Sequence, residues 1–170
     1  PLGATTVTWT VTDNAGLTAT ATQTVTVTDT EVPTITAPAN VTVNSDAGSC
    51  DATGVALGSA TTADNCGIAS TTNDAPAVFP LGTTTVAWTV TDNAGLTATA
   101  TQTVTVTDTE VPTITAPANV TVNSDAGSCD ATGVTLGSAI TADNCGIASV
   151  TNDSSEPFAL GTTTVIWTVT

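Results

Sequence analysis

No lysine, arginine or histidine occurs in the 170 residues, and there is no methionine or tyrosine either. Fifteen acidic side chains stand without one cation, so the formal charge is −15. Nucleic acid is excluded as a partner, because phosphate contacts need Lys or Arg. Docking on anionic membrane surfaces is disfavoured on the same ground. No apolar run approaches the ~20 residues that a membrane helix requires, so no membrane insertion is expected in this segment. An initiator Met and a signal peptide are missing, which leads us to expect an internal or processed piece. With no His, no Lys and no phosphate loop, only carboxylate pairs could serve acid–base chemistry, and an enzyme is not expected.

What is present points to β-structure. Hydrophobic residues make up 40% of the chain and alternate with threonine, which fills 44 positions. Threonine is β-branched and favours strands. An acidic disordered tail would lack that alternation. Four cysteines fit an oxidising compartment, the alternative being four buried free thiols.

A repeat organises the chain. Trp9, Trp88 and Trp167 are spaced by 79 residues, as are Cys50 and Cys129, and Cys66 and Cys145. Residues 13–54 and 92–133 are identical. This period is too long for a solenoid coil and suits one small domain per repeat. The natural boundary is the Val-Pro step at Val32-Pro33 and Val111-Pro112, since proline holds the preceding residue extended and cannot donate to a ladder. The expected domains are therefore 1–32, the back of one bead; 33–111, a complete bead; and 112–170, the front of a third. Residues 159–170 are expected to continue into a further repeat, in preference to a sandwich completed by strand donation from a neighbour.

Period-two alternation marks strands over 83–91, with Val86, Trp88 and Val90 inward, and over 96–107, with Leu96, Ala98, Ala100, Val104 and Val106 inward and Gln102 interrupting the set. Asp92-Asn93-Ala94-Gly95 reads as the hairpin turn between them. Shorter runs lie at 34–37, 41–44, 53–58 and 68–73. The fold class expected is all-β, with tandem antiparallel β-sandwich domains arranged as beads on a string.

Several motifs fall in order within each repeat: Val32-Pro33-Thr34-Ile35-Thr36-Ala37-Pro38, Ala47-Gly48-Ser49-Cys50, Ala63-Asp64-Asn65-Cys66-Gly67, Phe79-Pro80-Leu81-Gly82 and Trp88-Thr89-Val90-Thr91-Asp92-Asn93-Ala94-Gly95. In these the chain resembles the hyalin repeat, or HYR, family. The resemblance implies an immunoglobulin-like sandwich, an extracellular location and a role in adhesion or surface architecture, without catalysis. Family members often carry a further Cys where Ala37 stands, paired with one near Ala100; both are Ala here, so that bond is absent.

The acidic residues cluster in turns and linkers. In an immunoglobulin-like sandwich, the start of the first strand, the loop after the second strand and the last hairpin turn share one pole. On that basis Asp64, Asn65 and Asp92 should sit beside the linker acids Asp29 and Glu31. The next junction should gather Asp108, Glu110, Asp143 and Asn144, while Asp13 faces a preceding domain. Carboxylates packed this closely repel unless neutralised. With no basic side chain available, a hard cation is the expected partner, and an all-oxygen ligand set points to calcium rather than zinc or copper. The competing reading is a set of solvated turn residues.

Cys50 and Cys66 would close a ring worth ~3 kcal/mol in the chain-entropy model, and Cys129 and Cys145 its repeat. This pairing is in tension with the strand reading, which puts the loop before the second strand at the pole opposite Cys66. The function expected is an extracellular stalk or filament stiffened by calcium, with neighbouring repeats or chains as partners and a cell-surface or matrix ligand as a further one. Rival readings are an ice-binding surface built on Thr-x-Thr rows, and a glycan-binding adhesin. Twisted sandwich sheets count against the first, inward-pointing tryptophans against the second.

Overall fold

The computed structural model describes residues 2–170. All regular secondary structure among them is β. The strands in the first 111 residues are β1 (Gly3–Thr12), β2 (Thr18–Val27), β3 (Thr34–Thr36), β4 (Val41–Asn44), β5 (Asp51–Thr53), β6 (Thr61–Ala63), β7 (Ile68–Asn73), β8 (Val78–Pro80), β9 (Gly82–Asp92) and β10 (Thr97–Thr107). They are followed by β11 (Thr113–Thr115), β12 (Asp130–Ala131), β13 (Ile140–Ala142), β14 (Val150–Asn152), β15 (Phe158–Ala159) and β16 (Trp167–Val169).

By contacts the chain divides into two compact units. One holds residues 1–41, 56–76 and 84–104; the other holds 42–55, 77–83 and 105–170. Strands β9 and β10 run through both. Within the segment 33–111, β4, β10, β9 and β7 form a four-stranded sheet in that order, and β3–β6 and β5–β8 form antiparallel pairs. The segment 112–170 repeats the β3–β6, β5–β8 and β7–β9 pairings in register, as β11–β13, β12–β15 and β14–β16. Thr113 faces Ala142 as Thr34 faces Ala63, and Ala131 faces Phe158 as Ala52 faces Phe79.

The core of the first unit is one face of the β9–β10 hairpin. Val86, Trp88 and Val90 on β9 and Val104 on β10 are buried, as alternation requires. Gln102 does not interrupt this face but belongs to it. It is fully buried, accepts a hydrogen bond from Trp88 Nε1 at 3.1 Å, and donates to the carbonyls of Ala39 at 2.7 Å and Leu57 at 2.9 Å. Every polar atom of its amide is thereby satisfied, which is what makes burial tolerable. The same pair recurs on the exposed hairpin β1–β2, where Trp9 Nε1 donates to Gln23 at 3.1 Å.

The buried apolar residues of the second unit are Ala52, Phe79, Val106 and Ala131, with Ala52 facing Phe79 and Ala131 facing Phe158. The strand expected over 53–58 is displaced: β5 ends at Thr53, and Gly54 and Gly58 turn the chain with φ of 62° and 83°. Strands β6 and β8, which the alternation did not reveal, take up the pairing instead. A groove in this unit, lined by Ala118, Val120, Val122, Leu136, Phe158 and Trp167, lies open. The counterparts of these residues in repeat 33–111 include Val41, Val43, Phe79 and Trp88.

The disulfide framework departs from the expected rings. Cys50 bonds Cys145, with Cα atoms 4.8 Å apart, while Cys66 and Cys129 are free thiols. A pairing of Cys50 with Cys66, and of Cys129 with Cys145, is therefore overturned. Cys50 and its partner Cys145 both fall in the second unit, and Cys66 falls in the first.

Candidate metal centre

Three turns of the first unit bring three carboxylates together. The linker after β2 supplies Asp29, the loop between β6 and β7 supplies Asp64, and the end of β9 supplies Asp92. One oxygen of each lies within 4.8 Å of the others. Each side chain is pinned by its own turn, through an oxygen that accepts from a nearby backbone N–H. Asp29 Oδ1 accepts from Glu31 at 3.1 Å and Asp64 Oδ2 from Cys66 at 2.8 Å. Asp92 Oδ1 accepts from Ala94 and Leu96, both at 2.8 Å. These are local side-chain turns of the kind Asp favours.

The second oxygen of each group is different. Asp29 Oδ2, Asp64 Oδ1 and Asp92 Oδ2 are buried and have no hydrogen-bond partner, and Asp92 is only 1% exposed. A buried, unpaired carboxylate oxygen costs several kcal/mol, and two more beside it add repulsion. No cationic side chain exists in the sequence to relieve this. The donor set is all oxygen, as calcium prefers, with carbonyls and water left to complete six to eight ligands.

The neighbouring loop is held tightly. Asn93 Nδ2 donates to the Cys66 carbonyl at 2.9 Å, and a Cβ on Gly67, whose φ is 94°, would lie 2.8 Å from that nitrogen. Only glycine fits there. Partial burial, contact with Asp29 and the fields of Asp64 and Asp92 push the Cys66 thiol above its ordinary range.

Of the other residues singled out from sequence, Glu31 and Asn65 are exposed. Asp13 is exposed too and caps its own turn, accepting from Ala15 and Leu17 just as Asp92 does from Ala94 and Leu96. In the second unit, Asn144 Nδ2 donates to Asp108 Oδ1 at 3.3 Å and to the Ser49 carbonyl at 2.6 Å. Asp143 Oδ1 and Asn144 Oδ1 are buried without partners. Glu110 takes another role, its Oε2 accepting from Gly48 N–H at 3.0 Å. Sequence reasoning missed Gly48 and Ser49 as contact residues. Their presence in the repeated run Ala47-Gly48-Ser49-Cys50 was the available signal.

An all-β sandwich with acidic loops and cross-repeat cysteines defines a structural, immunoglobulin-like class of module. Residues 28–106 match the model of the HYR domain family. HYR domains have an immunoglobulin-like fold and are adhesion-type repeats of extracellular and cell-surface proteins, not an enzyme family. No curated protein and no solved structure matches the chain.

Proposed function

We propose that this chain is a stretch of an extracellular structural and adhesive stalk, whose repeat junctions bind calcium through Asp29, Asp64 and Asp92 and, one period on, through Asp108 and Asp143, the counterparts of Asp29 and Asp64, with Asn144. The observation that carries this reading is the set of three buried, unpartnered carboxylate oxygens on residues clustered within 4.8 Å, in a sequence without a single basic residue. Each set joins a linker to loops of the bead beside it, so a bound ion would fasten linker to bead. Partners in this reading are neighbouring repeats or chains of a filament, with a cell-surface or matrix molecule as the adhesive ligand.

Asp92→Asn tests the site. Asparagine keeps an oxygen for Ala94 and Leu96 but removes one charge and one ligand oxygen from the cluster. In chelator the variant should melt higher than the parent, because repulsion is relieved. In excess calcium it should melt lower, because the parent gains about 1.4 kcal/mol at ten times its Kd and the variant gains less. Calorimetric titration should show weaker calcium binding by the variant. Identical melting of parent and variant in both conditions would mean that the cluster is a set of ordinary turn residues.

A further inference from the structure

The Cys50–Cys145 bond spans 95 residues, the 79-residue period plus the 16 that separate Cys50 from Cys66. It therefore joins the first cysteine of one repeat to the second cysteine of the next. Around it, the loop 46–51 rests on the following linker and loop. Gly48 N–H donates to Glu110, and Ser49 offers its carbonyl to Asn144.

Both halves of this contact occur a second time in the chain, unjoined. The donor loop recurs as Asp125–Asp130 with Cys129 exposed, and the acceptor loop recurs as Asp64-Asn65-Cys66 with Glu31 and Asn65 exposed. Each unjoined copy already has the conformation of the joined one. Asp125 N–H donates to the Asp130 carbonyl at 2.8 Å, and Asp46 N–H to that of Asp51 at 2.7 Å. Ser128 N–H donates to the Asp125 carbonyl at 3.0 Å, and Ser49 N–H to that of Asp46 at 2.9 Å. Cys66 N–H donates to Asp64 at 2.8 Å, and Cys145 N–H to Asp143 at 2.9 Å. Joining needs no refolding of either loop, so little ordering entropy stands against it.

We propose that Cys66 and Cys129 are halves of the same inter-repeat cross-link: the cysteine of the 129 type bonds the cysteine of the 66 type in a neighbouring repeat of this kind, so that every repeat junction carries a disulfide, and in the test a second copy of the chain supplies that neighbouring repeat. The oxidant is a small-molecule disulfide. Exposed Cys129 attacks it as the thiolate, releasing one small thiol and forming a mixed disulfide. The Cys66 thiolate then attacks the Cys129 sulfur, and the second small thiol leaves and takes up a proton. Two protein thiols and one small disulfide become one protein disulfide and two small thiols.

The test is oxidation of the whole chain in a glutathione redox buffer with chelator present, which separates this inference from the calcium reading. Trypsin finds no site in a chain without Lys or Arg, so linked peptides are mapped after cleavage at Asp, and because Cys50 and Cys129 lie in identical peptides the linkages are counted in a Cys50→Ser, Cys145→Ser chain, where only Cys66 and Cys129 remain. The expected result is a ladder of head-to-tail oligomers, with Cys66–Cys129 linked peptides in about tenfold excess over Cys66–Cys66 and Cys129–Cys129, since only the unlike pair has preformed complementary loops. Cys66→Ser and Cys129→Ser chains should each stay monomeric, and their equimolar mixture should stop at a dimer. A statistical mixture of the three linkages would overturn the proposal, as would two thiols that persist while Cys50–Cys145 is oxidised.

Discussion

Gln102 stands where period-two alternation calls for an aliphatic side chain. An amide there looks like a break in the inward face, because sequence alternation registers polarity and not hydrogen-bond geometry. Its buried position follows from what surrounds it: an indole N–H that needs an acceptor, and two carbonyls in the irregular segments at Ala39 and Leu57 that need donors. The Leu57 carbonyl also shows why 53–58 is no strand despite its Val-Ala-Leu run, for it is satisfied by a side chain rather than a ladder. Gln102→Leu should therefore destabilise the fold although it adds apolar surface. Leaving the Trp88 N–H and two carbonyls without their partner should cost about 2–4 kcal/mol, read as a lower urea midpoint by circular dichroism. A midpoint unchanged from the parent would show that water replaces the amide.

At the scale of elements, the β9–β10 hairpin was legible, because Val86, Trp88 and Val90 alternate without exception. The convergence of Asp29, Asp64 and Asp92 was legible as well, since three turns at one end of an immunoglobulin-like sandwich must meet. The cysteine pairing was not. In an identical repeat, a partner 16 residues away and one 95 residues away differ only by a whole period, so spacing cannot say which repeat supplies it. The energetic consequence is large. A cross-link closing a loop of ~100 residues restricts the unfolded chain by about 4.7 kcal/mol, against ~3 for a loop of ~15. Cys145→Ser should accordingly lower stability by about 4–5 kcal/mol in the chain-entropy model, measured by urea denaturation under oxidising conditions. Under reducing conditions parent and variant should coincide. A loss in oxidising buffer closer to the short-loop value would argue that the bond forms within a repeat after all.

For the whole molecule, the question is what opposes a formal charge of −15 with no compensating cation. General screening is one answer: at ~0.15 M salt the Debye length is ~8 Å, so distant acids scarcely feel one another. The Asp29, Asp64 and Asp92 cluster is inside that length, partly shut off from solvent, and screening reaches it poorly. Calcium and sodium should therefore act differently. Millimolar calcium at constant ionic strength should raise the melting temperature and narrow the distribution of intramolecular distances in solution scattering, while added sodium chloride should do neither to the same degree. The junctions should also respond unequally. At 108–112 the Cys50–Cys145 bond already restrains linker and loop, so chelation alone should loosen little there; reduction together with chelation should loosen it strongly. Changing Asp108 to Asn and Glu110 to Gln in the reduced chain should remove the calcium response at that junction and leave the Trp88 core folded. Scattering profiles that superimpose in calcium and in chelator, with the disulfide reduced, would refute calcium as the stiffening agent and leave the fastening between repeats to the cross-link and to the hydrogen bonds of Gly48 and Ser49 with Glu110 and Asn144.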